Sequence, residues 1–259
     1  MSTILFNEII FGPIHSRRLG SSLGVNLLPY DGKLCSFDCI YCECGFNKDF
    51  RTHTKLPSRT NVKAAMEDKM ISLKRDQIAV DVVTFAGNGE PTMHPDFEGI
   101  VDDTVELRDK YFPNSQISVL TNGVHVDKAS VRRALDKVDK NILKLDSAFD
   151  ATVHLIDRPN SPDYTVSRQV ERYKQFKNSI VIQTMFVRGQ FEGATFDNTT
   201  EEEVSAWLDI IKELSPREVM IYTIDRTTPA KDIEKVSIEK LRQIASRVED
   251  LGIKTNVAG

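Results

Sequence analysis

Short β-rich runs alternate with amphipathic helical segments along almost the whole chain, and this limits the fold more than any other feature. VDVVTFA (Val80 to Ala86), QISVL, NILKL, SIVIQTMFV and EVMIYTI have the apolar, β-branched character of buried strands. Gly24 to Pro29 predicts a strand before them, the residues up to Ile14 another, and GIKTNVA a short last one. Helices are predicted from Asn61 to Lys74, through Phe97, Ile100, Val101 and Val105 after Pro95, over Ala129 to Val138, and over Asp163 to Phe176. Thr200 and Glu203 have capping-box spacing before a stripe of Val204, Trp207, Leu208, Ile211 and Leu214, which assigns the lone Trp to the core. A last helix carries Ile238, Leu241, Ala245, Val248 and Leu251. Strict alternation implies a parallel sheet with right-handed crossovers. About six strong strands are too few for a closed eight-stranded barrel. The expected class is therefore α/β, a partial (β/α)6 TIM-like barrel in a single domain over 1–259, with 1–23 as an N-terminal extension. Chemistry then belongs at the C-terminal ends of the strands.

The chain has 259 residues and a formal charge of −4, a mild acidity that speaks weakly against a large nucleic-acid partner. No stretch is apolar for long enough to span a bilayer, and the opening lacks a signal peptide's basic start. A cytoplasmic location without membrane association is the expectation. There, clustered thiols favour metal or redox chemistry over disulfides.

All four cysteines fall in KLCSFDCIYCECGFN, Lys33 to Asn47. Cys35, Cys39 and Cys42 are spaced C-x-x-x-C-x-x-C. A zinc site usually takes four ligands, and a ferredoxin-type site a distant fourth cysteine. Three thiolates on a cubane cluster leave one iron without a protein ligand, where a small molecule can chelate. Cys44 is too close to Cys42 to join the same cubane easily. It reads as a neighbouring free thiol, or as a transient ligand or redox partner for substrate. A non-catalytic metal-binding module is the alternative reading.

With Tyr41 as its aromatic, the cysteine motif resembles the signature of radical S-adenosylmethionine (SAM) enzymes. Gly87, Asn88, Gly89, Glu90 and Pro91 resemble the stretch that binds the methionyl amino group there. Asn88 replaces a glycine, and Asn tolerates left-handed backbone angles. Asn122 in TNG, and Asp146 and Ser147 in DSAFD, resemble the ribose and carboxylate contacts, and TIDRTTPA the segment over the adenine. Phe11 to Pro29 and AGNGEPTMHPDF resemble single-cluster iron–sulfur oxidoreductases related to the tRNA wyosine-base synthesising enzymes. The resemblance implies a 4Fe–4S cluster on Cys35, Cys39 and Cys42, with SAM as its chelating ligand. It also implies a low-potential electron donor such as flavodoxin or ferredoxin. The implied reaction is reductive cleavage of SAM to methionine and a 5′-deoxyadenosyl radical, which takes hydrogen from an unidentified substrate, an anion among the candidates. A tRNA substrate stays open as an alternative, although the cysteines for a second cluster are missing.

Lys144 shares a strand face with Asp146. A Lys buried there needs an anion, either the SAM carboxylate, a substrate or a neighbouring acid. Lys144, Gln183, Arg188, Tyr222 and Cys44 are the catalytic candidates. Arg17 and Arg18 are candidates for anion binding. Lys48, Arg51, His53, Lys55 and Arg59 form a basic run able to face an anionic substrate or an acidic donor. Arg188 to Asn198 reads as a lid loop.

Overall fold

The computed structural model describes residues 4–16, 18–49, 54–176 and 179–259. It folds as two compact units, Leu5–Cys35 with Asn47–Asn141, and Ser36–Phe46 with Ile142–Gly259.

In the first unit an antiparallel hairpin, β1 (Ile10–Ser16) and β2 (Gly20–Val25), leads into helix α1 (Arg59–Arg75), strand β3 (Val82–Phe85), helix α2 (Phe97–Tyr111), strand β4 (Gln116–Thr121) and helix α3 (Ala129–Leu135). The strands lie in the order β1-β2-β3-β4, and β2-β3 and β3-β4 are parallel. The opening hairpin departs from the all-parallel expectation. The strand predicted from Gly24 ends at Val25; Asn26 to Pro29 continue as buried loop. Helix α1 forms because Val62, Met66, Met70 and Leu73 fall on one stripe, all buried, and Ser58 caps its start by accepting from Asn61 N at 3.2 Å. All of β3 is buried, including Thr84, whose hydroxyl bonds Ser22 Oγ at 2.8 Å and Ser118 Oγ at 3.0 Å. This hydroxyl ladder satisfies polar side chains that an apolar neighbourhood would leave stranded.

The second unit takes strand β5 (Lys140–Lys144), helices α4 (Asp150–Ile156) and α5 (Val166–Tyr173), strand β6 (Ile180–Met185), strands β7 (Val187–Phe191) and β8 (Ala194–Asp197), helix α6 (Glu201–Leu214), strands β9 (Glu218–Tyr222) and β10 (Ile233–Lys235), helix α7 (Ile238–Glu249) and strand β11 (Lys254–Ala258). Its main strands run β5-β6-β9-β11, with β6-β9 and β9-β11 parallel. Trp207 is core, as its stripe predicts. Its indole N–H donates to Leu145 O at 3.2 Å and its ring meets Phe186 edge-on at 5.4 Å.

Two expectations give way here. SIVIQTMFV is two strands, broken at Phe186, where Asn198 accepts from Val187 N and donates to Met185 O, each at 2.8 Å. Arg188 to Asn198 is no lid loop. Most of it is the β7-β8 hairpin, joined by β10 into a separate three-stranded sheet. Its turn, Glu192 and Gly193, has φ +50° and +82°, the positive pair that a tight hairpin of this twist needs. The capping box is also half made. Thr200 accepts from Glu203 N at 3.3 Å, but the Glu203 carboxylate turns instead to Ser147 and Thr152.

Candidate cluster and cofactor site

In the first unit, the end of β3 carries Gly87 to Pro91 and the end of β4 carries Thr121 to Gly123. Glu90 is buried, 2% exposed, and its carboxylate ties the two ends together. It accepts from Thr92 N at 3.1 Å, Thr92 Oγ1 at 2.5 Å, Thr121 Oγ1 at 2.6 Å and Asn122 N at 2.8 Å. Burial pushes its pKa up, against the pull of the Thr121 and Thr92 hydroxyls. Protein donors thus already occupy both carboxylate oxygens. Asn88 is fully buried and is not among the residues with positive φ. It is there as a clamp: its amide donates to Phe6 O and Pro29 O and accepts from Phe6 N, each at 2.8 Å. Asn26, unremarked in the sequence, accepts from Asn88 N at 3.1 Å and Leu28 N at 3.2 Å. An Asn inside the apolar run GVNLLP was the available signal, since a buried amide needs partners.

The glycines serve close approach to the chain itself. Leu34 N donates to Asn88 O at 2.9 Å and Glu90 N donates to Leu34 O at 3.0 Å, a parallel bridge centred on Gly89. A Cβ on Gly89 would lie 1.9 Å from Leu34 O. The bridge fixes the residue directly before Cys35. It also turns the Gly89 N–H and C=O to the side away from Leu34. Asn122 Nδ2 approaches Cys35 Sγ at 3.7 Å.

In the second unit, Ser36–Phe46 is strapped to the end of α4. Asp38 N donates to Asp157 O at 3.0 Å, Ile40 N to Ile156 O at 2.9 Å, and Asn160 N to Ser36 O at 2.9 Å. The segment after β9 holds the other side: Ala230 N donates to Ile40 O at 3.2 Å, and Arg226 pairs with Glu43 at 2.7 Å. Cys39 and Cys42 are joined by a turn in which Cys42 N donates to Cys39 O at 3.1 Å.

Beneath that turn lies a buried polar quartet. Lys144 Nζ contacts Asp146 Oδ2 and Tyr41 OH, and lies 3.0 Å from Asp157 Oδ1. Tyr41 OH donates to Asp146 and is 2.9 Å from Asp157. Asp146 Oδ1 accepts from Met185 N at 3.0 Å. Burial opposes the Lys144 charge, but Asp146 and Asp157 outweigh it and hold the ammonium well above its ordinary range; Cys39 and Tyr222 add to this. Burial, with the Asp146 charge, drives the Asp157 carboxyl well above its ordinary range. A neighbouring acid is therefore the Lys144 partner. Sequence reasoning missed Asp157, since nothing in LIDRP marks it out.

The other candidates separate. Ser147 is buried and donates to Glu203 at 2.6 Å. Tyr222 packs with Cys39 against the apolar group of Ile40, Tyr41 and Met185. Gln183 is half-buried on β6, in register with Met220. Arg188 is exposed on β7 and pairs with Glu234 at 2.8 Å. Cys44 is buried at 8%, whereas Cys35, Cys39 and Cys42 are half-buried. Arg59 leaves the basic run to pair with Asp103 at 2.6 Å. Arg18 is half-buried; Arg17, Arg51 and His53 lie outside the described residues.

Residues 31–194 match the family profile described as the Radical SAM superfamily. The chain belongs to the radical SAM superfamily. A UPF0026 protein of Methanocaldococcus jannaschii is 30% identical over 91% of this chain and 70% of its own length. A Brachyspira hyodysenteriae protein called GTPase Obg is 28% identical over 90% of this chain, which spans only 32% of that protein. Among solved structures, SuiB of Streptococcus suis bound to S-adenosylmethionine superposes with a TM-score of 0.62 at 17% identity, over 90% of this chain and 50% of SuiB. TYW1 with a lysine–pyruvate adduct bound gives 0.59 at 12%, over 88% and 73%. The fold is thus the mostly parallel α/β partial barrel of radical SAM enzymes, and the protein is one of them, which sets the plain metal-binding alternative aside.

Membership implies SAM and an iron–sulfur cluster. Among the described residues no three His, Cys, Asp or Glu side chains are gathered to hold a metal ion. The donor chemistry nonetheless fits a cluster. None of the cysteines is in a disulfide, and the three of the motif are the more accessible ones. The Asn122 amide is directed at Cys35 Sγ and the Lys144 charge acts on Cys39, both of which favour thiolate. With the cluster expected on Cys35, Cys39 and Cys42, Cys44→Ala should bind the same iron per chain as the wild type after reconstitution, measured by metal analysis. A loss of one third or more would make it a ligand. No helix among the described residues is long and apolar enough to cross a membrane.

Proposed function

We propose that this radical SAM enzyme carries one 4Fe–4S cluster on Cys35, Cys39 and Cys42 and cleaves SAM reductively. The observation that carries the reading is the Leu34–Gly89 bridge, which ties the start of the cysteine motif to the GNGEP turn. When bound, the cluster and SAM supply methionine and a 5′-deoxyadenosyl radical that takes a hydrogen atom from the substrate, given one electron from an external low-potential donor.

The chain's own residues orient the reactants. Gly89 offers its backbone N–H and C=O to the methionyl end. The side chains of Asn88 and Glu90 brace that turn from behind, and Asn122, Asp146 and Ser147 hold the neighbouring strand ends in place. Tyr41, which lies in sequence between Cys39 and Cys42, is anchored through its hydroxyl to Asp146 and Asp157. The apolar group of Ile40, Tyr41, Met185 and Tyr222 keeps water from the cysteine turn. The ion pairs of Lys144 argue against a wyosine-type reaction through a lysine–carbonyl adduct on this residue, because the nucleophile must be a neutral amine.

Anaerobic reconstitution with iron and sulfide, followed by dithionite and SAM, tests this. The expected product is 5′-deoxyadenosine, and joint replacement of Cys35, Cys39 and Cys42 by Ala should abolish both cluster and product. A verified cluster that yields no 5′-deoxyadenosine would overturn the reading.

A further inference from the structure

The Lys144–Asp146 pair stands out because a buried ion pair is a poor way to stabilise a fold: apolar residues of similar volume often do as well or better. Asp146 has a side-chain exposure of 0% and Lys144 of 13%, so solvent screens their charges little. The ammonium lies 4.7 Å from the centre of the Tyr41 ring, and Tyr41 sits in the chain between Cys39 and Cys42. Cys39 is itself among the groups whose charge acts on Lys144. Asp146 is fixed by Met185 N at 3.0 Å, and its backbone carbonyl by Asn198 Nδ2 at 2.8 Å, so the pair cannot swing away from the turn.

We infer that the Lys144–Asp146 pair is a fixed charge element that sets the reduction potential of the cluster. The inference rests on reading Cys39 as a cluster ligand. Cluster potentials respond to the net charge around the sulfurs. A positive charge beside Cys39 stabilises the reduced cluster, which carries one more electron, and so raises its potential. A negative charge does the reverse. Lys144 and Asp146 thus act in opposition, as positioning residues that need not touch SAM or substrate.

The test is a redox titration of the reconstituted protein, followed by the electron paramagnetic resonance signal of the reduced cluster. Lys144→Met should shift the midpoint downward and Asp146→Asn upward. Lys144→Arg, which keeps the charge, should stay near the wild type, and so should the neutral double variant Lys144→Met/Asp146→Asn. A merely structural role would move both single variants in the same direction. Shifts of the same sign, or an unmoved midpoint in variants that bind the cluster, overturn the inference. Loss of the cluster from Asp146→Asn and from the double variant does so too, by assigning the pair to assembly. A wild type that assembles no cluster would instead bring down the reading of the cysteines on which this one rests.

Discussion

Gly89→Ala should lose roughly 3–5 kcal/mol of stability and most of the iron-binding capacity, more than any other single-methyl addition near the site. Two independent costs add up. Gly89 has φ +140°, a backbone region that L side chains rarely adopt, worth about 1–3 kcal/mol of strain. The new Cβ would also fall 1.9 Å from Leu34 O. That oxygen is backbone and cannot rotate aside, so the bridge must open, with loss of the Leu34 N–Asn88 O and Glu90 N–Leu34 O hydrogen bonds at about 1 kcal/mol each. Cys35 follows Leu34 directly, so the same change releases a proposed ligand. Gly193→Ala is the control. Its φ is +82° but nothing lies within 4 Å of the added carbon, so only the conformational cost of about 1 kcal/mol remains. Urea unfolding and iron per chain after reconstitution distinguish the two. Equal midpoints and equal iron would mean that the bridge is not what holds the motif.

The same bridge shows where the sequence was legible. The order of strands and helices could be read because each element carries its own period, and the cysteine spacing because three thiols so close have few other uses. What approaches Gly89 within the chain is Leu34, and a contact spanning 55 positions leaves no local trace in the sequence. Asn88 looked like a tolerated stand-in for glycine; its side chain is in fact buried against Phe6 and Pro29, which no spacing rule reveals. The carboxylate partners of Glu90, namely Thr92, Thr121 and Asn122, are likewise set by the fold and not by spacing. The break at Phe186 was invisible for a related reason. The apolar run continues through it, and the residue that stabilises the break, Asn198, lies on the far side of a hairpin. Polar side chains that act at a distance, Asn26, Asp157 and Asn198 among them, were the part that pattern could not supply.

Lys144→Met should be the most destabilising change in the second unit, by roughly 3–5 kcal/mol at neutral pH, the usual cost of stranding one member of a buried pair. Asp146 would keep its hydrogen bonds from Tyr41 and Met185 but lose its counter-charge in a site of 0% side-chain exposure. Removing both charges together, with Lys144→Met/Asp146→Asn, should recover most of the loss, because no orphan charge remains. The pH dependence separates this from a packing defect. In the wild type Asp157 holds its proton well above the ordinary carboxylate range, so the native state binds a proton that the unfolded chain has released. Its contribution is fully present in acid and declines as pH rises toward the native-state pKa. In Lys144→Met the remaining acids can be relieved only by further protonation, so the deficit relative to wild type should narrow on going from neutral to mildly acidic solution. A cavity or a lost van der Waals contact would give a deficit independent of pH. Urea unfolding of the three proteins across that range decides between them, and a constant deficit would show that the quartet contributes by shape and not by charge.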